Sequence, residues 1–293
     1  MNGVQRSFQA FKHRLIEVLF TSKISSYIFP LIEFLVFLRV LKVWDGIYSS
    51  WEDAPQDENV LEQKIWTDKV TSQASNALAA YHSGEIVSLA SSTQDFIVSL
   101  AGSILLSSKE DDLRILDFGG GMAVSYFPLI SSVPDPERIE FHVIEVKSIC
   151  DLARPLLAEF TKLHFHEKLP KLSKSMHIVH AGSSIQYIPD WKGLLAEFVN
   201  YRPQLLILED ILAGNIPTFV TTQNFYGKKV RSRFLNIGEL IEEVQSFGYA
   251  LIYQTKCTQN FLGKTGGPLP MKNFPPQYQL KFCSHLIFRR IEA

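Results

Sequence analysis

Cysteine is scarce in this chain. Cys150, Cys257 and Cys283 are the only three in 293 residues, and no two lie closer than 26 positions apart. Such spacing builds neither a disulfide framework nor a metal knuckle, and the odd number fits a reducing compartment. Net charge is equally scarce. With 29 basic and 30 acidic side chains the formal charge is -1, so bulk composition supplies no field to neutralise phosphates and nucleic acid is not expected as a partner. Charged residues make up only 20% and apolar residues 46%, which excludes a disordered or collagen-like chain. Internal repeats and low-complexity tracts are also absent. The first residues lack a short basic region leading directly into an apolar stretch and a small-residue cleavage site, so a cytoplasmic protein is expected.

A membrane-spanning run of about 20 apolar residues is missing too. The nearest approach, Ile24 to Leu38, is interrupted by Pro30 and Glu33. Residues 1–44 nevertheless carry six basic against two acidic side chains in an apolar, aromatic context. This extension is expected to be helical. It suits docking on the domain or on a partner, or a peripheral contact of residues 14–43 with the inner face of the membrane, where anionic lipid rewards positive charge. The next stretch, Asp45 to Glu62, has six acidic residues and no basic one. Its Gly, Ser and Pro content predicts a turn-rich connector. Apolar spacing of three and four residues over 59–82 and 85–107 predicts two or three helices. The expected division is an extension over 1–44, connector and cap helices over 45–83, and one large domain over 84–293.

From residue 111 the pattern alternates between short apolar strands and helical stretches. Strands are predicted at 114–119, 140–146, 162–167, 176–182 and 204–210, with helices at 121–131, 148–160 and 191–200. This order predicts an α/β, Rossmann-like, doubly wound sheet of seven strands, mostly parallel, with its ligand site at the carboxyl ends of the strands. A helix over 236–247, the strand YALIYQTK and the terminal strand QLKFCSHLIFRR complete it as an antiparallel last hairpin.

The sharpest motif runs Arg114-Ile115-Leu116-Asp117-Phe118-Gly119-Gly120-Gly121-Met122-Ala123. A buried strand ends in a carboxylate and three glycines that open a helix. Glycines there turn the backbone tightly, let it approach a ligand, and leave free helix N–H groups for an anionic ligand group. A GxGxxG dinucleotide fingerprint requires glycine at position 124, which is Val124. Glu145 closes the next strand, 26 residues after Gly119, where a carboxylate accepts hydrogen bonds from ribose hydroxyls. NAD sites use the same device, so Glu145 alone does not select the cofactor, and an NAD-dependent oxidoreductase or epimerase, or a non-catalytic scaffold on the same fold, stays open.

The Asp-x-Gly-x-Gly pattern of Asp117, Gly119 and Gly121 resembles motif I of class I S-adenosylmethionine-dependent methyltransferases. That resemblance implies S-adenosyl-L-methionine as cofactor, with Asp117, Gly119, Gly120 and Gly121 against its methionine part and Glu145 on its ribose. A narrower resemblance, to a family of methyltransferases associated with bacterial surface-polysaccharide gene clusters, rests on Gly46-Ile47-Tyr48-Ser49-Ser50-Trp51-Glu52-Asp53-Ala54, LDFGGGMAVSYF and the SSIQYIPDW segment from Ser183 to Trp191. Gln223 and the pair Gly248-Tyr249 also fit. After Ala54, PQDENV replaces the Gly-Tyr-Asp element of that family. The resemblance implies methyl transfer to a small-molecule or glycan acceptor.

The loop after the fourth strand, Ala181 to Asp190, then faces the transferable methyl group. It carries neither an Asn-Pro-Pro-Tyr pattern nor a cysteine nucleophile, which argues against amine methylation on adenine or glutamine and keeps an oxygen acceptor open. A hydroxyl acceptor needs in-line approach and a base. Strand-end candidates for the base are His180, Glu209 and Asp210; Tyr187 is a candidate to orient the acceptor, and Ser183 and Ser184, expected to contact the cofactor, border the methyl-transfer site with Gln186. His164 and His166 alternate on one strand and so share a face, but no third donor at a suggestive spacing completes a metal site, and no metal is expected. Lys228, Lys229, Arg231 and Arg233 form a basic run that reads as a solvated surface or a receiver for an anionic acceptor. The loop 263–270 has glycines but no phosphate-loop spacing and reads as a lid or a plain connection.

Overall fold

The computed structural model describes residues 42–85, 87, 96–108, 111–257 and 268–291. Nearly all of the basic extension, including residues 14–41 of the 14–43 segment that was a candidate for membrane contact, and most of the 263–270 loop lie outside the described residues. Among the described residues, no helix is long and apolar enough to cross a membrane.

The chain divides into two compact units. The larger holds Leu61–Ile211, Leu240–Thr255 and the chain from Ser284 onward. Its centre is a seven-stranded sheet built from β2 (Leu113–Phe118), β3 (Ile139–Ile144), β4 (Leu163–His166), β5 (Ile178–Gly182), β6 (Leu205–Ile211), β10 (Tyr249–Cys257) and β11 (Cys283–Arg290), in the order β10-β11-β6-β5-β2-β3-β4. The strands from β6 to β4 are parallel, and β11 runs antiparallel to β6. The predicted α/β class and antiparallel closing hairpin are therefore observed. The chain order reverses between β2 and β5, where a doubly wound sheet opens a crevice at its carboxyl edge.

Six helices are described: α1 (Lys64–His82), α2 (Phe96–Ser107), α3 (Tyr126–Ile130), α4 (Lys147–Leu156), α5 (Trp191–Asn200) and α6 (Ile237–Ser246). Alternation along the strands decides what they cover. Ile115, Phe141, Val143, Ile178 and Ile207 are fully buried on one face, in a cluster with Val98 of α2, Phe127 of α3 and Ile149 of α4. Phe127, Tyr126, Phe160 and Tyr81 meet edge to face at centroid distances of 5.6 to 6.4 Å, an arrangement that adds quadrupole attraction to burial. On the other face Phe118 packs on Phe198 of α5. The predicted helix at 121–131 is real only over Tyr126–Ile130; residues 121–125 are turns, because Gly121 and Ala123 take positive φ. Between β4 and β5, residues 167–177 contain no helix.

The second unit gathers Leu212–Glu239 and Lys256–Cys283 with the chain up to Val60, so two stretches from within the expected 84–293 domain join the connector. Its sheet has the order β1-β8-β9-β7, with β1 (Trp44–Tyr48), β7 (Ala213–Gly214), β8 (Phe219–Phe225) and β9 (Lys228–Asn236). β8 and β9 form a hairpin across Tyr226 and Gly227, at φ 48° and 83°, and positive φ at both central residues matches strand twist in a two-residue turn. Trp44, Phe219, Phe234 and Phe274 centre the core of this unit, with Phe219 and Phe234 stacked at 5.0 Å and Trp44 edge-on to Phe234 at 5.3 Å.

Replacing Phe141, fully buried between β2 and β4, by alanine removes a ring that its neighbours cannot refill. A loss of about 3–5 kcal/mol is expected in urea unfolding.

Candidate active site

The carboxyl ends of β2, β3, β5 and β6 carry the residues singled out by sequence. Asp117, the penultimate residue of β2, is 1% exposed. One carboxylate oxygen accepts from Ser125 Oγ, and the other lies 2.7 Å from His180 Nδ1 on β5. Gly119 and Gly121 follow at φ 72° and 57°. The reasons for glycine differ along the loop. A Cβ at Gly119 would sit 2.6 Å from the Cβ of Ser184, and one at Gly120 would strike the Asp117 carboxylate. At Gly121 nothing lies closer than the 3.9 Å of Val124 Cγ2. Gly119 and Gly120 are thus demanded by the protein, whereas Gly121 borders open space and keeps that space clear.

Glu145 follows the end of β3. Its Oε1 accepts from the Gly121 N–H at 3.3 Å and its Oε2 from the Val146 N–H at 2.7 Å. Desolvation pushes its pKa up, and the two backbone donors and the nearby Asp117 charge adjust this in opposite senses. Across the crevice, Ser183 has φ 52° and donates through Oγ to Asp210 Oδ2 at 2.6 Å, while Gln186 Nε2 donates to Ser183 Oγ at 3.3 Å. Ser184 Oγ is tied to the carbonyl of Phe118 at 2.9 Å. Asp210, 2% exposed, also has positive φ, 52°. Backbone in this region costs a non-glycine residue roughly 1–3 kcal/mol and gathers at functional sites. Here Ala123, Ser183 and Asp210 all show it beside Gly119 and Gly121.

His180 is 3% exposed and its second ring nitrogen lies 3.6 Å from Glu209 Oε1. Glu209, fully buried, accepts from the Val98 N–H at 3.2 Å and lies 3.6 Å from His285 Nδ1. His285 Nδ1 accepts from the Asp210 N–H at 3.3 Å. Burial, with a lesser contribution from His180, lowers the pKa of His285 to about 4. A buried polar chain therefore runs from Ser125 through Asp117, His180, Glu209, His285 and Asp210 to Ser183. The structure brings Asp117, Gly119, Gly120, Gly121, Glu145, His180, Ser183, Ser184 and Asp210 together at one sheet end. Tyr187, half-buried, ends the 3-10 turn Ile185–Tyr187 that follows. Sequence reasoning missed Ser125 and His285; His285 sits between Ser284 and Leu286 on a strand with no motif, and only the β11–β6 pairing reveals its place.

The basic run serves the second unit itself. Arg231 donates to the carbonyls of Ala54 and Glu52 at 2.7 and 3.1 Å, Lys228 Nζ to that of Glu58 at 3.0 Å, and Arg233 lies over the Trp51 ring at 5.0 Å. These cations hold the turns of the connector, and strand β1 at its start is paired to β8.

Two outcomes follow for measurement. Gly119→Ala clashes and strains together and is expected to lower the unfolding midpoint strongly, whereas Gly121→Ala costs only the ~1–2 kcal/mol of a left-handed alanine; thermal unfolding of the two variants checks the contrast. His285 has a folded pKa below its unfolded 6.5, so its contribution to stability is full above pH 6.5 and is lost as pH falls toward 4. About 2 kcal/mol should disappear between pH 7.5 and 5 in urea titrations, and His285→Gln should abolish that share of the slope.

No protein-family model matches this chain, and no curated protein sequence matches it. Among solved structures it is similar to the 1,6-didemethyltoxoflavin-N1-methyltransferase of Burkholderia thailandensis with bound 1,6-didemethyltoxoflavin and S-adenosylhomocysteine. The TM-score is 0.48 at 12% identity, over 82% of this chain and 93% of that one. It is also similar to the magnesium protoporphyrin IX methyltransferase of Synechocystis PCC 6803 with S-adenosylhomocysteine bound, at TM-score 0.45 and 10% identity over 68% of this chain and 83% of that one. A third is a Haloferax volcanii methyltransferase in complex with the Trm112 activator, at TM-score 0.48 and 12% identity over 78% and 98% of the two chains. Likeness of this degree assigns no activity to this chain.

Proposed function

We propose that this chain is an S-adenosylmethionine-dependent methyltransferase acting on the hydroxyl oxygen of a small-molecule or glycan acceptor. The observation that carries the reading is the meeting of Gly121 with Glu145. Gly121, at positive φ with nothing closer than 3.9 Å to an added Cβ, donates its N–H directly to Glu145 Oε1 at 3.3 Å, so the glycine loop that would meet the cofactor's chain and the strand-end carboxylate that would take its ribose lie side by side. When bound, the cofactor supplies an electrophilic methyl group on a sulfonium.

The protein's own residues have distinct tasks. Glu145 exchanges its backbone donors for ribose hydroxyls. Ser183 and Ser184 border the methyl-transfer site from β5. Asp210, held by Ser183 Oγ, accepts the acceptor's hydroxyl proton as the oxygen becomes a nucleophile, and Tyr187 orients that acceptor. His180 is a positioning residue: pinned by Asp117 and facing Glu209, it aligns β2 with β5 and β6 beneath the loop. The GIYSSW and IQYIPD segments support an acceptor in surface-polysaccharide synthesis, with residues 14–43 bringing the enzyme to the inner face of the membrane where such acceptors are assembled.

Isothermal titration with S-adenosylhomocysteine tests the reading. The intact protein should bind one equivalent, and Gly121→Ala, whose added Cβ would meet nothing closer than 3.9 Å, should remain folded by far-UV circular dichroism and bind more weakly. Saturable NAD binding without S-adenosylhomocysteine binding would overturn the proposal in favour of a dinucleotide enzyme. Glu145→Gln sharpens the test. Because the folded pKa of Glu145 is raised, its contribution to stability is present at acid pH and lost as pH rises through that value. The variant removes the desolvated charge but sets an amide NH2 against one of the two backbone donors that Glu145 holds, so it should lose the parent's pH dependence of stability in that range while binding the nucleoside about tenfold or more weakly, as expected when a charged hydrogen-bond acceptor is lost.

A further inference from the structure

One cluster of donors takes no part in the proposed chemistry. β3 and β4 pair in parallel with His142 opposite His164 and Ile144 opposite His166. Glu140 lies two residues before His142, so Glu140, His142, His164 and His166 share one face of the sheet. Asp117 is on the other face, because its partner on β3 is Val143. β4 is the outermost strand, and no helix occurs in the connection that follows it. One ligating atom from each of Glu140, His142 and His164 lies within 4.8 Å of the others. The His142 ring stacks on His164 at 4.9 Å and on His166 at 5.2 Å. His142, 4% exposed, places Nε2 3.2 Å from Glu140 Oε1 and Nδ1 3.0 Å from His166 Nε2.

We propose that Glu140, His142 and His164 bind a single divalent transition-metal ion of the zinc type, with His166 as a positioning residue. Two imidazole nitrogens and one carboxylate oxygen are a donor set for zinc rather than for magnesium or calcium, which take oxygen ligands. Three protein ligands leave a fourth position to water. His142 uses both ring nitrogens. Nε2 faces the ion, and Nδ1–H donates to His166 Nε2, the outer hydrogen bond that fixes a ligating histidine's tautomer. The alternating pair His164 and His166 looks like the ligand pair in sequence, yet register substitutes His142 from the adjacent strand and moves His166 outward. The ion ties the outermost strand to β3 where no crossover helix covers the sheet.

The test uses untagged full-length protein stripped with chelator and titrated with zinc chloride alone, then with cobalt(II). One ion per chain, a higher thermal midpoint with zinc, and the intense visible absorption of four-coordinate cobalt are expected. His164→Gln and Glu140→Gln should lose the cobalt band, and the combined serine variant of Cys150, Cys257 and Cys283 should keep it. His166→Gln should still bind one ion about 10–100-fold more weakly. Far-UV circular dichroism shows whether each variant is folded; if His164→Gln is not, Glu140→Gln decides. Absence of uptake by the stripped parent, or a cobalt band surviving in folded Glu140→Gln, would overturn the site, and equal loss in His166→Gln and His164→Gln would overturn the positioning role.

Discussion

The hydrogen bond between Asp117 and His180 is the constraint on which the candidate site depends. Both groups are almost wholly inaccessible to water, and a carboxylate in that setting persists only with partners on its oxygens. Ser125 and His180 provide them, one from the turn after the glycine loop and one from β5. The bond thus couples the end of β2 to the strand across the switch point. Removing one partner of such a pair costs more than the pair contributes, roughly 3–5 kcal/mol, because the other is left buried and uncompensated. The same logic extends along the chain of buried groups to Glu209, His285 and Asp210.

That polar chain explains why strained backbone collects here. Ser183 and Asp210 occupy the left-handed region at the ends of two adjacent strands, and neither is glycine. Side chain holds side chain, Ser183 Oγ on the Asp210 carboxylate, while the Asp210 amide is held by His285 and the Ser183 amide by the carbonyl of Glu209. Strain is tolerated where surrounding bonds over-determine the geometry. The result presents a carboxylate and a hydroxyl on one side of the crevice and an open glycine with Glu145 on the other.

The second unit obeys a different economy. Its sheet joins a strand at residues 44–48 to a hairpin at 219–236, so its contacts are long-range in sequence. Short, weakly patterned strands become ordered because apolar rings stack inside and because Arg231 and Lys228 bond to carbonyls of an acidic connector. Charge complementarity visible in composition thereby becomes specific hydrogen bonding to main-chain oxygens.

Sequence by itself determined the parallel sheet, since short apolar strands alternating with helices admit few other arrangements. It also located Asp117, the three glycines and Glu145, because a strand, a tight turn and a helix start leave a local trace. Three things required tertiary structure. β1 has a five-residue pattern interrupted by Gly46, so only its partner β8 makes it a strand. His285 joins Glu209 and Asp210 through pairing of strands more than 70 residues apart. His142 meets His164 through parallel register alone. In each case the deciding contact lies between residues distant in sequence, and periodicity along one segment carries no information about which neighbour lies beside it.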